Sequence, residues 1–589
     1  MRPAPQARHL VSVAILAAVS AAYGYSAIFD DDLSSTQIGI ASAAIKRHEG
    51  DLFACDPVLG ASQLWRLHTP VFYGLLELVL FPTGYRDPVL PFRAMTSIVA
   101  MTYLCGMYAL LYRQCRSWSV AVFVAVLSSA AIRTLGGSHW GVGPLEYVTP
   151  MGICMAATPL IVLAFLRYAE EADAPAGHQW RLILVFGCVG LMGNLYLVAA
   201  INLAIVLLVV YLAKMRFRLQ CLPTAIACAL AAVIGALPYI GYFCTLRSQL
   251  TLAGAQAPEK LVYDALRVGR LAGLYPDLAK SLLSWLIYTG ALCIPAAAVL
   301  VRIERFRARE LRCWVWFIGG GLFVSIGLHG VSQLAGVIRH TGPPVIAFLQ
   351  ASAFVMLPLY VLAAQGITNL FRLVRNHRWL LRWACVAAMA AWLIPSDNLQ
   401  VVRHLAYDGA TMFMEEADKP LRVQKLHALR EERAELEDIA KWARGTNRRS
   451  VFVTDRNEFR MLARRSIVVN RDDVIYYYYL SPQNLGIWKD RLEQQAKLFR
   501  NPADMPGLVK FRRSMSEQED FAEAVNWYAI LPANLAATVG AEPAWWGKHY
   551  RVFLIPPELP GPGTPTAPAA QRNPPPHAQE PQGHSPPNP

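Results

Sequence analysis

The sequence predicts an all-α polytopic membrane domain of about eleven transmembrane helices, then a small α/β soluble domain and a disordered proline-rich tail. Three observations carry this. The 589 residues are 55% hydrophobic and 16% charged, against roughly 25% charged residues in an ordinary soluble domain. The apolar residues gather into blocks of about 17 to 25, long enough to span hydrocarbon. After Pro395 the composition turns charged, and the last 34 residues hold 13 prolines. The expected division is therefore 1–396 for the polytopic domain, 397–555 for the α/β domain and 556–589 for the tail.

The formal net charge of +14 does not point to nucleic acid, because the Lys and Arg sit mainly in short loops between apolar blocks. It reads as topology information, with membrane lipid as the surrounding partner. Eleven cysteines fall mostly inside apolar blocks, with no paired CxxC spacing, so neither a disulfide framework nor a zinc site is supported.

Spanning helices are expected near 10–29, 92–112, 118–134, 150–166, 182–198, 199–213, 222–244, 281–301, 314–330, 345–365 and 379–396. Arg2, Arg8 and the small residues Val19-Ser20-Ala21 also fit a cleaved signal peptide, but the apolar run continues to Phe29 and favours a retained helix. With the N-terminus cytoplasmic, every inside loop is basic: Arg113 and Arg116; Arg167 and Arg181; Lys214, Arg216 and Arg218; Arg302 to Arg312; Arg372 to Arg382. This is the positive-inside pattern. Val71 to Phe81 is apolar but too short to span and reads as an interfacial or re-entrant helix. The pair 182–198 and 199–213 has no polar turn beyond Asn194 and Asn202, so one bent segment is the alternative. The outside face then collects 30–91, 134–149, 245–280 and 331–344, and a first loop of some sixty residues is a place to look for function.

Beyond Pro395, Leu426, Leu429, Leu436, Ile439 and Trp442 recur at near-helical spacing in Val423–Arg444. Short β-type runs follow at Ser450–Thr454, Ser466–Asn470, Trp527–Leu531 and Tyr550–Ile555, with helical patterns at Asn457–Arg464 and Leu485–Phe499. This alternation is that of a small α/β domain. Its Arg456, Arg460, Arg464, Arg465, Tyr476 to Tyr479, Trp545 and Trp546 suit a glycan or lipid head group; the plainer reading is a packed sheet with solvated arginines. The tail cannot form a core.

The chemical signal lies just past the first helix. Asp30, Asp31 and Asp32 place three carboxylates at the membrane surface, followed by an amphipathic stretch from Thr36 to Lys46. Charges can merely mark where a helix leaves the bilayer, but three adjacent acids repel one another and an outside flank does not require acid. The functional reading is a general base, or a ligand for an acceptor or metal. The same loop adds Asp56 and the run His68-Thr69-Pro70-Val71-Phe72-Tyr73.

That order of acid, amphipathic helix, second acid and His-Thr-Pro-aromatic resembles the first periplasmic loop of the glycosyltransferase superfamily with the GT-C fold, membrane enzymes that use polyprenyl-phosphate sugars. The resemblance covers roughly residues 1–395. It implies a GT-C-like polytopic domain in a bacterial cytoplasmic membrane, with the soluble domain periplasmic, a polyprenyl-phosphate-linked sugar as donor, and a glycan, lipid or protein as acceptor. It implies that Asp30, Asp31 and Asp32 are catalytic, and that Glu146 with His139, in the loop after the third helix, matches the superfamily's second acid position. Asp56 and His68 are candidate substrate contacts, and Arg339 is a candidate partner of the donor phosphate. The sequence departs from the lipid A aminoarabinose and protein mannosyl branches: a run of Asp replaces their Asp-Glu pair, and His68-Thr69-Pro70 replaces an aromatic-Lys-Pro-Pro element. A divalent cation, Mg or Mn, stays open, since clustered carboxylates suit hard metals.

A nucleotide-binding loop is not present: the sequence has no GxxxxGK[ST] and no GxGxxG after a strand. A transporter or flippase should carry ionisable residues in mid-membrane and repeated broken helices; the sequence offers Asn194, Asn202 and Gly319-Gly320-Gly321. A non-enzymatic envelope assembly protein docking a partner through the C-terminal domain is the third reading.

Overall fold

The structure, a computed structural model, describes residues 5–29, 33–83, 87–130, 148–171, 179–250, 261–262, 264–265, 308–339, 348–373, 378–394, 396–500 and 504–558. The expected span at 281–301 and the tail from residue 559 lie outside them. The first helices are α1 (Pro5–Phe29), α2 (Ser35–His48), α3 (Pro70–Leu80), α4 (Leu90–Cys115), α5 (Trp118–Ser128), α6 (Pro150–Glu171), α7 (Gln179–Lys214) and α8 (Leu222–Leu250). Then come α9 (Ala308–Leu322), joined through a π-helical stretch to α10 (His329–Ile338), α11 (Met356–Leu373), α12 (Arg378–Leu393), α13 (Gln400–Ala410) and α14 (Leu421–Arg444).

The chain is mostly helical and multi-pass: among the described residues seven helices are long and apolar enough to cross a membrane. A helix satisfies its own backbone in hydrocarbon, which is why such sequences take this form. The expectation of eleven differs from this count for identifiable reasons. Helix α5 stops at Ser128 after 11 residues, α12 has 16 residues, the expected span 281–301 lies outside the described residues, and the expected pair 182–198 and 199–213 is counted once, as the two legs of the 36-residue α7.

Helix α7 is not straight. Tyr196 leaves helical geometry at φ −152° and ψ 97°, and a side-chain carbon at Gly193 would lie 3.4 Å from Cβ of Ala200, whereas seven residues of straight helix rise about 10.5 Å. The chain therefore folds back at Tyr196. The register against α8 agrees: Gln179 meets Thr224, Gly190 meets Ala232, and Asn194 donates to the Gly235 carbonyl and accepts from the Tyr239 amide. Residues 179–195 and 222–239 thus run parallel, which leaves 197–214 as the return leg between them.

These contacts define two ends. One holds Arg113 paired with Glu170 at 2.6 Å, Lys214 and the basic turn to Leu222. At the other, called here the far end, Thr69 donates to the Leu195 carbonyl, Tyr239 to that of Leu67 and Tyr242 to that of Arg66. The first loop is stitched to that end.

The soluble unit carries a five-stranded sheet of β1 (Val451–Val453), β2 (Ser466–Ile467), β3 (Trp527–Pro532), β4 (Trp545–Trp546) and β5 (Tyr550–Ile555), in the order β2-β1-β3-β5-β4. Strands β2, β1 and β3 are parallel, and β3, β5 and β4 antiparallel. Helix α14 covers one face with Leu436, Ile439 and Ala443 against Phe452, Ile530 and Val552. The other face joins one continuous core with the first loop, where Leu52, Phe53 and Cys55 share burial with Val453 and Val468. The unit therefore sits on the far end, over the first loop.

Candidate functional site

Asp30, Asp31, Asp32, His139 and Glu146 lie outside the described residues, but the segments that flank them are joined. Ser34, two residues after Asp32, caps α2 in a capping box with Gln37, a local arrangement that Ser-x-x-Gln encodes. The Gln37 amide is thereby oriented, and its Nε2 donates to the carbonyl of Val148 at 3.3 Å, two residues after Glu146. On the other flank, Tyr23 of α1 bonds Ser129 at the end of α5 at 2.6 Å. Asn398 donates to the Ser129 carbonyl at 2.6 Å. The two loops on which the sequence places its acids thus begin and end side by side at the far end.

The remainder of the first loop is held by buried polar contacts. Lys46 donates to the carbonyls of Gly50 and Leu52, both at 2.6 Å, closing the turn after α2. Partial burial lowers its pKa, and Asp56 and Asp51 oppose that. Asp56 accepts from the Val58 and Leu59 amides at 3.0 Å on one oxygen, and from Arg460 Nε at 2.9 Å and the Ile467 amide at 3.3 Å on the other. Arg460 in turn forks onto Asp473 at 2.7 and 2.8 Å. Burial pushes the Asp56 carboxyl up, and the Arg460 guanidinium pulls it back. With about four lone-pair directions available on a carboxylate, Asp56 has none left for a substrate. The expected substrate contact is a structural anchor, a correction that follows from its saturation.

His68 is also tied to the soluble unit: Nε2 meets the Tyr476 hydroxyl at 3.0 Å, ring edge to ring face. Burial pushes its pKa down to about 4, so it is neutral at pH 7 and offers no cation to a phosphate. The reading of Arg460 and Arg465 as solvated is corrected as well. Both are under 5% exposed, Arg460 on its two carboxylates and Arg465 on the carbonyls of Arg444 and Thr446. Tyr476 and Tyr477 are buried in the helix Val474–Leu480 and present no aromatic surface.

Two described cations at this end are Arg47 and Arg66. Arg47 pairs with Glu77 at 3.0 Å and lies over the Tyr73 ring at 5.9 Å; Arg66 lies over Trp65 at 5.8 Å, and both flank Tyr242. Beside them the 11-residue α3 exposes Val71 and Leu78, followed by Phe81, an apolar stripe next to a cationic pair. The pair went unread in the sequence because neither residue stands in a motif. Arg339 is exposed just past α10, and no described contact brings it to the first loop. A cavity of about 160 Å³ between loop and soluble unit is lined by Ser62, Leu64, Leu250, Tyr477, Asn484 and Arg491, small beside the 300 Å³ or more usual for a ligand pocket. Among the described residues no three His, Cys, Asp or Glu side chains are grouped to hold a metal.

Fold and site define a multi-pass membrane protein whose soluble α/β unit is bonded onto the loop after its first helix. Among solved structures the chain is similar to the crystal structure of ArnT from Cupriavidus metallidurans bound to undecaprenyl phosphate, with 13% identity, 95% of this chain and 100% of that chain covered, and a TM-score of 0.44. It is also similar to the Archaeoglobus fulgidus oligosaccharyltransferase tethered to an acceptor peptide, with 12% identity, 89% and 69% covered, and a TM-score of 0.41. No family model matches the chain, and no curated protein matches it in sequence.

Proposed function

We propose that this chain is a membrane glycosyltransferase that moves a sugar from a polyprenyl-phosphate donor to a glycan, lipid or protein acceptor. The far end would face the outer side of a bacterial cytoplasmic membrane, a side favoured by the basic turns at the opposite end. The observation that carries the reading is the Gln37–Val148 bond, because it joins the stems of the two acid-bearing loops where the resemblance calls for two acids at one site.

In this reading one carboxylate of Asp30, Asp31 or Asp32 takes the proton from the acceptor as its oxygen or nitrogen bonds to the sugar's anomeric carbon. The bond from that carbon to the donor phosphate breaks, and the polyprenyl phosphate leaves with the electron pair. Arg47 and Arg66 supply positive charge for the departing phosphate, while the apolar stripe of α3 suits the polyprenyl chain. His139, Glu146 and Arg339 remain candidate contacts on the same reading, and a divalent cation would find its ligands among the three aspartates.

The test is consumption of a labelled polyprenyl-phosphate sugar by membranes containing the wild-type chain, Asp31→Asn, or a triple Asp30, Asp31 and Asp32 to Asn variant at equal expression. A loss of about 100-fold or more, the scale of a removed general base, is expected in the triple variant. Equal turnover in all three would reject the first loop as the catalytic site and favour transport or assembly.

A further inference from the structure

Helix α13 is built inside out for a water-soluble surface. Its exposed positions are Val402, Leu405, Ala406, Gly409 and Ala410, which follow the i, i+3, i+4, i+7, i+8 spacing of a single apolar stripe. The opposite side is the polar one, and it faces protein: Asp408 binds Arg430 at 2.8 Å and His427 at 3.3 Å, both on α14. The chain then runs through Met412, Phe413 and Met414, which are 73%, 95% and 49% exposed, and Leu421 at 66%. Three large apolar side chains in sequence project from one tip, where an ordinary soluble surface shows them singly.

We propose that α13 and the Met412–Phe413–Met414 tip lie in the lipid headgroup layer at the far end and hold the soluble unit against the bilayer. The occupant follows from continuity with the spanning helices. Helix α12, with Trp379, Trp383 and Val386 exposed, ends at Leu393, and α13 begins at Gln400. Between them Asn398 is bonded to the Ser129 carbonyl, and Ser129 to Tyr23 of α1. The start of α13 is thus pinned at the level where α1 and α5 finish and where Ile28 is exposed at 52%. Eleven residues rise about 16 Å, about half the hydrocarbon thickness, so α13 lies along the surface as amphipathic interfacial helices do. Glu415, Glu416, Asp418 and Lys419 follow the tip directly and keep it at headgroup depth.

Through the Asp408 pairs with α14, lipid contact at α13 would fix the tilt of the whole soluble unit. The inference needs only the membrane-spanning reading of the helices and stands apart from the transferase reading.

The test uses the full chain in phosphatidylcholine vesicles. A polarity-sensitive fluorophore is attached at Phe413→Cys and, for comparison, at Lys441→Cys on the exposed side of α14, with the wild-type chain labelled in parallel to subtract native cysteines. Phe413 is almost fully exposed, so its replacement leaves the fold intact. The expected result is blue-shifted emission from position 413, quenching by lipids spin-labelled near the glycerol, and protection from aqueous iodide, with the reverse at 441. Iodide quenching at 413 equal to that at 441 would overturn the proposal. So would a blue shift that persists in detergent and disappears on dilution, which would assign the tip to a second copy of the chain.

Discussion

Asp56 and Arg460 are 404 residues apart in sequence and form a salt bridge of 2.9 Å with both side chains less than 5% exposed. This bridge is the central fastening between the first loop and the soluble unit, reinforced by Arg464 on Glu49 at 2.6 Å at the rim. Removing one partner of a buried ion pair strands the other charge, which costs about 3–5 kcal/mol. Arg460→Ala strands two carboxylates, Asp56 and Asp473. The expected outcome is loss of that order in stability of the soluble unit on the loop, seen as protease cleavage in 49–69 under conditions where the wild-type chain resists. An Arg460→Ala chain with an uncut loop would remove the fastening role.

The pH dependence of the same interface follows from His68. Its folded pKa is pushed down from 6.5 to about 4, so below pH 6.5 the unfolded chain binds a proton that the folded chain does not. Stability therefore rises with pH across this window: it is fully present above about 6.5 and is lost progressively as pH falls toward 4. His68→Gln keeps a group able to hydrogen-bond Tyr476 and removes the titration. Thermal unfolding in detergent at pH 7 and pH 5 should show a smaller drop for the variant than for the wild-type chain, and equal drops would place the acid sensitivity elsewhere.

Much of the helical architecture was legible because long apolar windows report spanning helices directly. The reversal between the expected spans 182–198 and 199–213 was read without a turn signal to place it; it falls at Tyr196, where Leu195-Tyr196-Leu197 contains no turn residue, and is enforced by tertiary contacts, among them the Asn194 bonds to α8. Four strands were readable from their runs of apolar residues, whereas β4, two tryptophans long, gives no periodic signal. The anchoring role of Asp56 was invisible for a different reason: its partner is distant, and nothing local separates a saturated acid from an available one. Arg460 did carry a hint, standing between the buried Phe459 and Met461. The stems that bring the two acid loops together were half legible, in the capping sequence Ser34-Ser35-Thr36-Gln37 but not in its bond to Val148.

Close helix contact at Gly190 gives a prediction about assembly. A side-chain carbon there would fall 2.1 Å from the Ala232 carbonyl oxygen, and one at Gly235 would fall 2.7 Å from that of Gly187. Small residues at such crossings let backbones touch in a membrane. Gly190→Val forces α7 and α8 apart, at a cost of about 1–3 kcal/mol or more for overpacking. The expected result is a lower yield of monodisperse protein in detergent. Gly187→Val is expected to leave the yield unchanged, because open space surrounds its added carbon. Equal yields from the two variants would count against the packing described.

The last prediction concerns Gln37, which does two jobs through one side chain. Its Oε1 accepts from the Ser34 amide at 3.0 Å, and its Nε2 donates to Val148 at 3.3 Å. Gln37→Ala removes both, so it loses the reciprocal half of the capping box along with the tether, while the Ser34 hydroxyl still accepts from the residue-37 amide. Gln37→Glu separates them: a carboxylate still accepts from the Ser34 amide, as glutamate does in a capping box, but it cannot donate and sets negative charge against the Val148 carbonyl. If the two acid loops must be held together for sugar transfer, Gln37→Glu, whose carboxylate at this buried position also lowers thermal stability, loses about tenfold in kcat when assayed well below its melting temperature, the effect of roughly 1.4 kcal/mol on the barrier. Its KM for the lipid-linked donor should stay near that of the wild-type chain, since Arg47, Arg66 and α3 are untouched. An unchanged kcat in Gln37→Glu would show that the Val148 bond is structural alone and would remove the main support for a site shared by the two loops.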